Sequence, residues 1–159
     1  MSALQCFKFG QEHEIIRLFK VGMASRHVFE DRIPLNTAGD KIFYEHFPFL
    51  GRAAIVVDHS DGTTSVIEVK DGTRGFPYVY GGIGFAEQYA RRIQLLRGTR
   101  TIRPCLLWTA TDNRVANALI EFACETAGVV PLPWGRLADH LAAEVEVLKQ
   151  ARIKTRLGA

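Results

Sequence analysis

The stretch from Gly51 to Lys70, GRAAIVVDHSDGTTSVIEVK, constrains what this chain can fold into more than any other. Two runs rich in Val and Ile flank Ser60-Asp61-Gly62, which suits a three-residue hairpin loop with Gly62 supplying a positive φ after a type I turn. That loop pairs His59 with Thr63 and, counting back, Ala54 with Glu68 and Arg52 with Lys70. Side chains alternate between the two faces of a strand. One face therefore carries Ala53, Ile55, Val57, Ser65, Ile67 and Val69, nearly all apolar. The other carries Arg52, Ala54, Val56, Asp58, Thr64, Val66, Glu68 and Lys70. Glu68 and Lys70 point to the same side at the end of an apolar strand, where burial is costly unless the two are paired or hold a metal.

The rest of the chain gives this hairpin an α/β setting. Gly10 to Met23 has the spacing of an amphipathic helix through Ile15, Ile16, Leu18 and Phe19. Glu12 and Glu14 fall in its first turn, where carboxylates complement the helix dipole. Pro34, Asn36 and Gly39 mark a loop, and KIFYEHF over Lys41 to Phe47 has the β-branched and aromatic character of a strand. After Lys70 and Asp71, TRGFPYVYGGIG is expected to be a glycine- and aromatic-rich loop whose Phe76, Tyr78 and Tyr80 could stack on bases. Phe85 to Leu96 predicts a helix with Phe85, Tyr89, Ile93 and Leu96 on one side and Gln88 and Arg92, four apart, on another. Ile102 to Thr109 predicts a buried strand, and Thr111-Asp112 a cap for a helix over Arg114 to Ala127. The core stripe expected of that helix is Val115, Leu119, Phe122 and Ala123. A short strand at Val129 to Leu132 is placed at an edge by Pro131, and a long helix from Arg136 to Leu157 ends in Lys149, Arg152, Lys154 and Arg156.

Composition narrows the class. With 159 residues, 47% hydrophobic and 23% charged, the chain predicts one globular domain over 1–159. A net charge of +3 permits nucleic-acid binding without requiring it. Cys6, Cys105 and Cys124 lack metal-ligand spacing and suit reduced thiols, two of them in the core. No signal pattern or membrane-length apolar run is visible, so a cytoplasmic protein with no membrane association is expected.

An Asp on one strand and an E-x-K on the next bind a divalent metal in the PD-(D/E)XK nuclease superfamily. The hairpin and its Glu68-Val69-Lys70, set in the order helix, three strands, helix, strand, helix, short strand, helix, resemble the core of that superfamily. The resemblance spans about two-thirds of the chain. It implies a restriction-endonuclease-like or Holliday-junction-resolvase-like fold, αβββαβα plus a short strand and a C-terminal helix. It further implies a deoxyribonuclease using Mg²⁺ or Mn²⁺, with Glu68 and the Val69 carbonyl as ligands and Lys70 beside the attacking water. An acid of the first helix, Glu14 or Glu12, is implied to face the metal, and Glu14 is placed in the ligand set. Gln88 occupies a position from which some branches present a polar residue to the site. Arg52, Arg74, Tyr78 and Arg92 are the candidates for contact with DNA.

The chain departs from the pattern where the family's Asp should stand opposite Glu68, because that residue is Ala54. Asp58 shares the face but lies about 13 Å further along at ~3.3 Å per residue. Either the acid was lost naturally or an Asp→Ala change was made to capture an inactive enzyme; the intact surroundings favour the second. Small members of the superfamily without a specificity domain act on branched or end structures, which implies DNA repair or recombination, and several work as homodimers. The competing expectations are an inactive module of the same fold that binds DNA or a protein partner, and a plain α/β domain in which Glu68 and Lys70 are a structural ion pair. Glu45, His46 and His27 are further, weaker metal candidates.

Overall fold

The structure, a computed structural model, describes residues 3–20, 29–36, 38–47, 52–98 and 100–158, with backbone alone at 3–11, 45–47 and 52–54. It is an α/β protein with a five-stranded mixed sheet flanked by helices. Helix α1 (Ala3–Lys20) is followed by strands β1 (Lys41–Phe47), β2 (Arg52–Asp58) and β3 (Thr63–Lys70). Helix α2 (Phe76–Arg97), strand β4 (Thr101–Trp108), helix α3 (Arg114–Thr126), strand β5 (Val130–Pro133) and helix α4 (Leu137–Arg156) complete the order. The strands lie in sequence order across the sheet, antiparallel from β1 to β3 and parallel from β3 to β5. This is the element order that the sequence predicts.

The hairpin has the predicted register: Ala54 stands opposite Glu68, and the His59 N–H donates to the Thr63 carbonyl at 2.8 Å. Gly62 takes φ +92°, the left-handed conformation that the turn requires. Both faces of the sheet are buried at its centre. Ile55, Val57, Ile67, Val69, Cys105 and Leu107 form the larger core with Ile15, Leu18 and Phe19 of α1 and with Trp134. On the other side, Val56 and Val66 meet Tyr89, Ala90 and Ile93 of α2, while Leu106 and Trp108 meet Val79, Ile83 and Ala86. Cys105 and Cys124 are buried free thiols, as expected, and loss of hydration pushes the Cys105 thiol up to about 12. Pro131 lies in β5, which is an edge strand.

Several expectations are overturned. Helix α1 begins at Ala3 rather than Gly10, so its first turn holds no acid and Glu12 and Glu14 lie well inside it, where the helix dipole does not account for them. The aromatic segment after Lys70 is not a loop, because α2 starts at Phe76, nine residues before its expected beginning at Phe85. Gly75 at φ +92° opens it, Pro77 sits in its first turn, and Val79, Ile83 and Ala86 recur at helical spacing on the buried side. Its far end also differs, since Leu96 is exposed rather than part of the core stripe. In α3 the buried stripe is Ala116, Ile120 and Cys124, whereas Val115, Leu119 and Phe122 point to solvent. The helix has two adjacent apolar stripes, and the core takes the one with smaller side chains. The cap is Asn113, whose side chain accepts from the Val115 and Ala116 N–H groups, rather than Thr111-Asp112.

Among the described residues, no helix is long and apolar enough to cross a membrane.

Candidate functional site

The site is built at the end of β3. Glu68 is fully buried and Lys70 is 4% exposed. The Lys70 ammonium lies 3.5 Å from Glu68 Oε1. Across β4 they face Leu106 and Trp108, so the pair sits in apolar surroundings, where attraction between charges is strong and separating them is costly. Lys70 runs beneath the first turns of α2, its ammonium 4.6 Å from the centre of the Tyr78 ring and 5.2 Å from that of Phe85. Gly82 makes this path possible. A Cβ there would come within 2.8 Å of Lys70 Cγ and 2.9 Å of Leu106 Cδ1.

The strand end is clasped on both sides. The Thr109 N–H donates to the Lys70 carbonyl at 3.3 Å and the Gly72 N–H to Thr109 Oγ1 at 2.9 Å. Asp71 is fully buried and caps the 3-10 turn Gly72–Arg74, accepting from the Thr73 N–H at 2.9 Å and the Thr73 hydroxyl at 2.8 Å. The close approach to β4 demands glycine at position 72, where a Cβ would fall 1.7 Å from the Thr109 carbonyl oxygen.

Helix α1 reaches the same place from the other face of the sheet. Glu12, 3% exposed, accepts a hydrogen bond from the Tyr78 hydroxyl and another from the Asp71 backbone N–H. Burial raises its pKa above the ordinary carboxylate value, against the opposing pull of Tyr78, Lys70 and Arg74. Burial and the neighbouring carboxylate likewise raise Tyr78 above the usual phenol range. The Arg74 guanidinium stacks 3.7 Å from the centre of the Tyr78 ring.

Of the two first-helix acids, the structure brings Glu12 to the site and not Glu14. Glu14 pairs with Arg17, which also grips Glu144 of α4 at 2.5 Å, away from β3. Asp58 is likewise committed elsewhere. It lies 3.3 Å from Arg97 and 3.5 Å from Arg100 and accepts from the Thr64 hydroxyl at 2.6 Å. Gln88 and Arg92 are exposed on α2 and follow Phe85 by three and seven residues, on the side under which Lys70 passes. Arg74 and Tyr78 join the cluster, although the Tyr78 ring carries two cations rather than an open face for a base. Phe76 and Tyr80 turn to the opposite side of α2, their ring centres 5.2 Å apart. The side chains of Cys6, Glu45, His46, Arg52 and Ala54, and the whole of His27, lie outside the described residues; the backbone sets Ala54 between Glu45 of β1 and Glu68 of β3. Among the described residues no group of three or more His, Cys, Asp or Glu gathers closely enough to hold a metal ion.

Asp71 next to Lys70 suits a cap at the strand end by sequence, and it caps the turn that follows; Thr109, Gly72 and Gly82 are parts of this arrangement that sequence reasoning did not find. The usable signal was local. An Asp-Gly directly after E-x-K suits a capped turn, and a glycine inside a helix suggests a close neighbour. A second constellation also emerged, in which His59 sits between Ser65 Oγ at 2.7 Å and Asp40 Oδ2 at 3.3 Å. Its order resembles a nucleophilic triad. Ser65 is fully buried and also lies 3.2 Å from Arg103 Nη1, so no substrate reaches it, and the chain fastens the hairpin loop.

No family model, curated protein or solved structure matches this chain.

Proposed function

We propose that this chain has the restriction-endonuclease-like fold of the PD-(D/E)XK superfamily and derives from a metal-dependent deoxyribonuclease whose metal centre is incomplete at Ala54. The observation that carries this reading is the pairing of Ala54 with Glu68 in a buried hairpin, with Lys70 directly beyond and 3.5 Å from the carboxylate. A carboxylate and an ammonium brought side by side into an apolar strand end are poor stabilisers compared with packed hydrophobes. A reaction that needs both gives a reason for them to be there.

In this reading Glu68 and the Val69 carbonyl oxygen hold Mg²⁺ or Mn²⁺, hard ions that take oxygen ligands. The ion supplies Lewis-acid polarisation of a phosphodiester. The alanine methyl at position 54 offers no oxygen, so the donor set of this chain is short by one carboxylate. Lys70 orients the attacking water and offsets the negative charge that develops on phosphorus oxygens. Tyr78 and Phe85 confine its ammonium, and Glu12 and Asp71 hold the strand end from which it projects. Arg74 and Arg92 are the cations available for DNA phosphates, with Arg52 and Gln88 as further contacts. Branched or end substrates fit the size of the domain.

One observation favours a second reading, in which the fold is kept as a non-catalytic module for DNA or a protein partner: the alanine itself stands where the acid belongs. Cutting restored by Ala54→Asp separates the two, and manganese binding tests the metal site on which the first depends. Titration of Mn²⁺ followed by electron paramagnetic resonance should show weak binding for this chain and binding at least tenfold tighter for Ala54→Asp. The gain should disappear when Glu68→Gln is added. Equal affinity across the three proteins would leave the nuclease reading without its metal site.

A further inference from the structure

We infer that α3 is a self-docking surface on which two copies of this chain pair through antiparallel α3 helices. The helix buries Ala116, Ile120 and Cys124 against the sheet and leaves Val115, Leu119 and Phe122 exposed at 68, 52 and 68%. These three follow the spacing i, i+4, i+7, which lines up along one face as the seam of a helix pair does. Through Leu119 and Phe122 the stripe continues into an open groove of about 900 Å³ between α2 and α3. Phe76 and Tyr80 form the far wall, Gly81 and Gly84 leave room beside them, and no charged side chain lines the groove. An exposed apolar surface of this kind, bounded by charged residues, is characteristic of a protein interface.

The charges of α3 identify the partner. Arg114 is its first residue and Glu121 and Glu125 lie in its second half; its first turn holds no acid and its last turn no base. Each sign therefore stands at the end of the helix dipole that disfavours it. A second α3 running the opposite way reverses this. Arg114 and Glu125 are eleven residues apart, about three turns at ~3.6 residues per turn, so they share one flank of the stripe. A two-fold axis passing between Leu119 and Ile120 sets Arg114 of each copy beside Glu125 of the other, both at once. The same axis brings Val115 of one copy near Phe122 of the other and places the two Leu119 side chains at the centre. The helix is thus complementary to its own reverse in shape and in charge, as an isologous contact requires.

Sedimentation equilibrium of the full chain over a dilution series tests the pairing, with Phe122→Glu, Arg114→Glu, Glu125→Arg and the Arg114→Glu/Glu125→Arg double variant alongside. All three positions are exposed, so circular dichroism should show unchanged folds. A reversible monomer–dimer equilibrium is expected, weakened more than tenfold by Phe122→Glu. Each single charge reversal should weaken it on the order of tenfold, because the symmetry counts every pair twice, and the double variant should return to within about threefold of the parent. If Phe122→Glu fails to fold, the charge set alone decides. A parent chain monomeric throughout the series, or a dimer in which the double reversal is no better than the single ones, overturns the inference.

Discussion

The aliphatic stem of Lys70 lies against the bare backbone of Gly82, so close that a single methyl group at position 82 would meet Lys70 Cγ at 2.8 Å. This contact joins the hairpin to α2. It turns the most permissive residue of the helix into a constraint on the path of the Lys70 side chain.

The three glycines of α2 should therefore respond differently to alanine. Gly81 and Gly84 have no atom within 4 Å of an added Cβ, and Gly81→Ala or Gly84→Ala should stabilise the fold by about 0.5–1 kcal/mol through helix propensity. Gly82→Ala gains the same propensity but overpacks Lys70 and Leu106, at a cost of about 1–3 kcal/mol. Urea unfolding of the three variants should rank Gly82→Ala lowest, below the other two by at least 1 kcal/mol. Equal midpoints would mean that Lys70 does not occupy this path.

Glu12 makes folding depend on pH in a definite direction. Its pKa in the fold is raised above the ordinary value of 4.5, chiefly by burial. Its contribution is most favourable below that ordinary value, where the carboxyl is neutral in both states, and is lost as pH rises through the raised value. Glu12→Gln stays neutral throughout. The difference in unfolding free energy, variant minus parent, should thus move in favour of the variant between pH 4 and pH 7.5 in urea titrations. A difference that stays flat, or moves toward the parent, contradicts the assignment of Glu12 to this buried position.

Asp58 is the acid nearest in sequence to position 54, and the structure gives it structural work. Asp58→Asn should weaken its contacts with Arg97 and Arg100, which lie 3.3 and 3.5 Å away. The cost should be about 1 kcal/mol of stability for a partly exposed network. In the Ala54→Asp background the same change should leave Mn²⁺ affinity within about twofold, below the roughly 1.4 kcal/mol that a tenfold change represents. A larger loss of metal affinity would place Asp58 in the site.

What was legible in the sequence was what local chemistry determines. The hairpin register follows from alternation and from one glycine at the turn, both contained in twenty residues, and the Ala54–Glu68 pairing came out directly. The start of α2 was not legible, because Gly81, Gly82 and Gly84 count against a helix by propensity. The reason for Gly82 is its contact with Lys70, a residue on a different element. The buried side of α3 was misjudged for a related reason. The stripe with larger apolar residues competes with Ala116, Ile120 and Cys124, and only the closeness of packing against the sheet decides between them. Glu12 and Glu14 lie two residues apart on α1 and were equally eligible by spacing. Their difference is that one meets Tyr78 and Asp71 while the other meets Arg17.

In the proposed nuclease reading an acid at position 54 would complete a metal centre with Glu68, and Lys70 would serve the reaction there. The most direct measurement is cleavage of branched, duplex and single-stranded DNA with Mg²⁺ or Mn²⁺. The proteins compared are this chain, Ala54→Asp, and Ala54→Asp carrying either Glu68→Ala or Lys70→Ala. Ala54→Asp should cut, with this chain and both double variants slower by at least a hundredfold, a loss of roughly 2.7 kcal/mol in transition-state stabilisation. An Ala54→Asp protein that remains folded and cuts none of these substrates, or cuts equally well without Glu68 and Lys70, contradicts that reading.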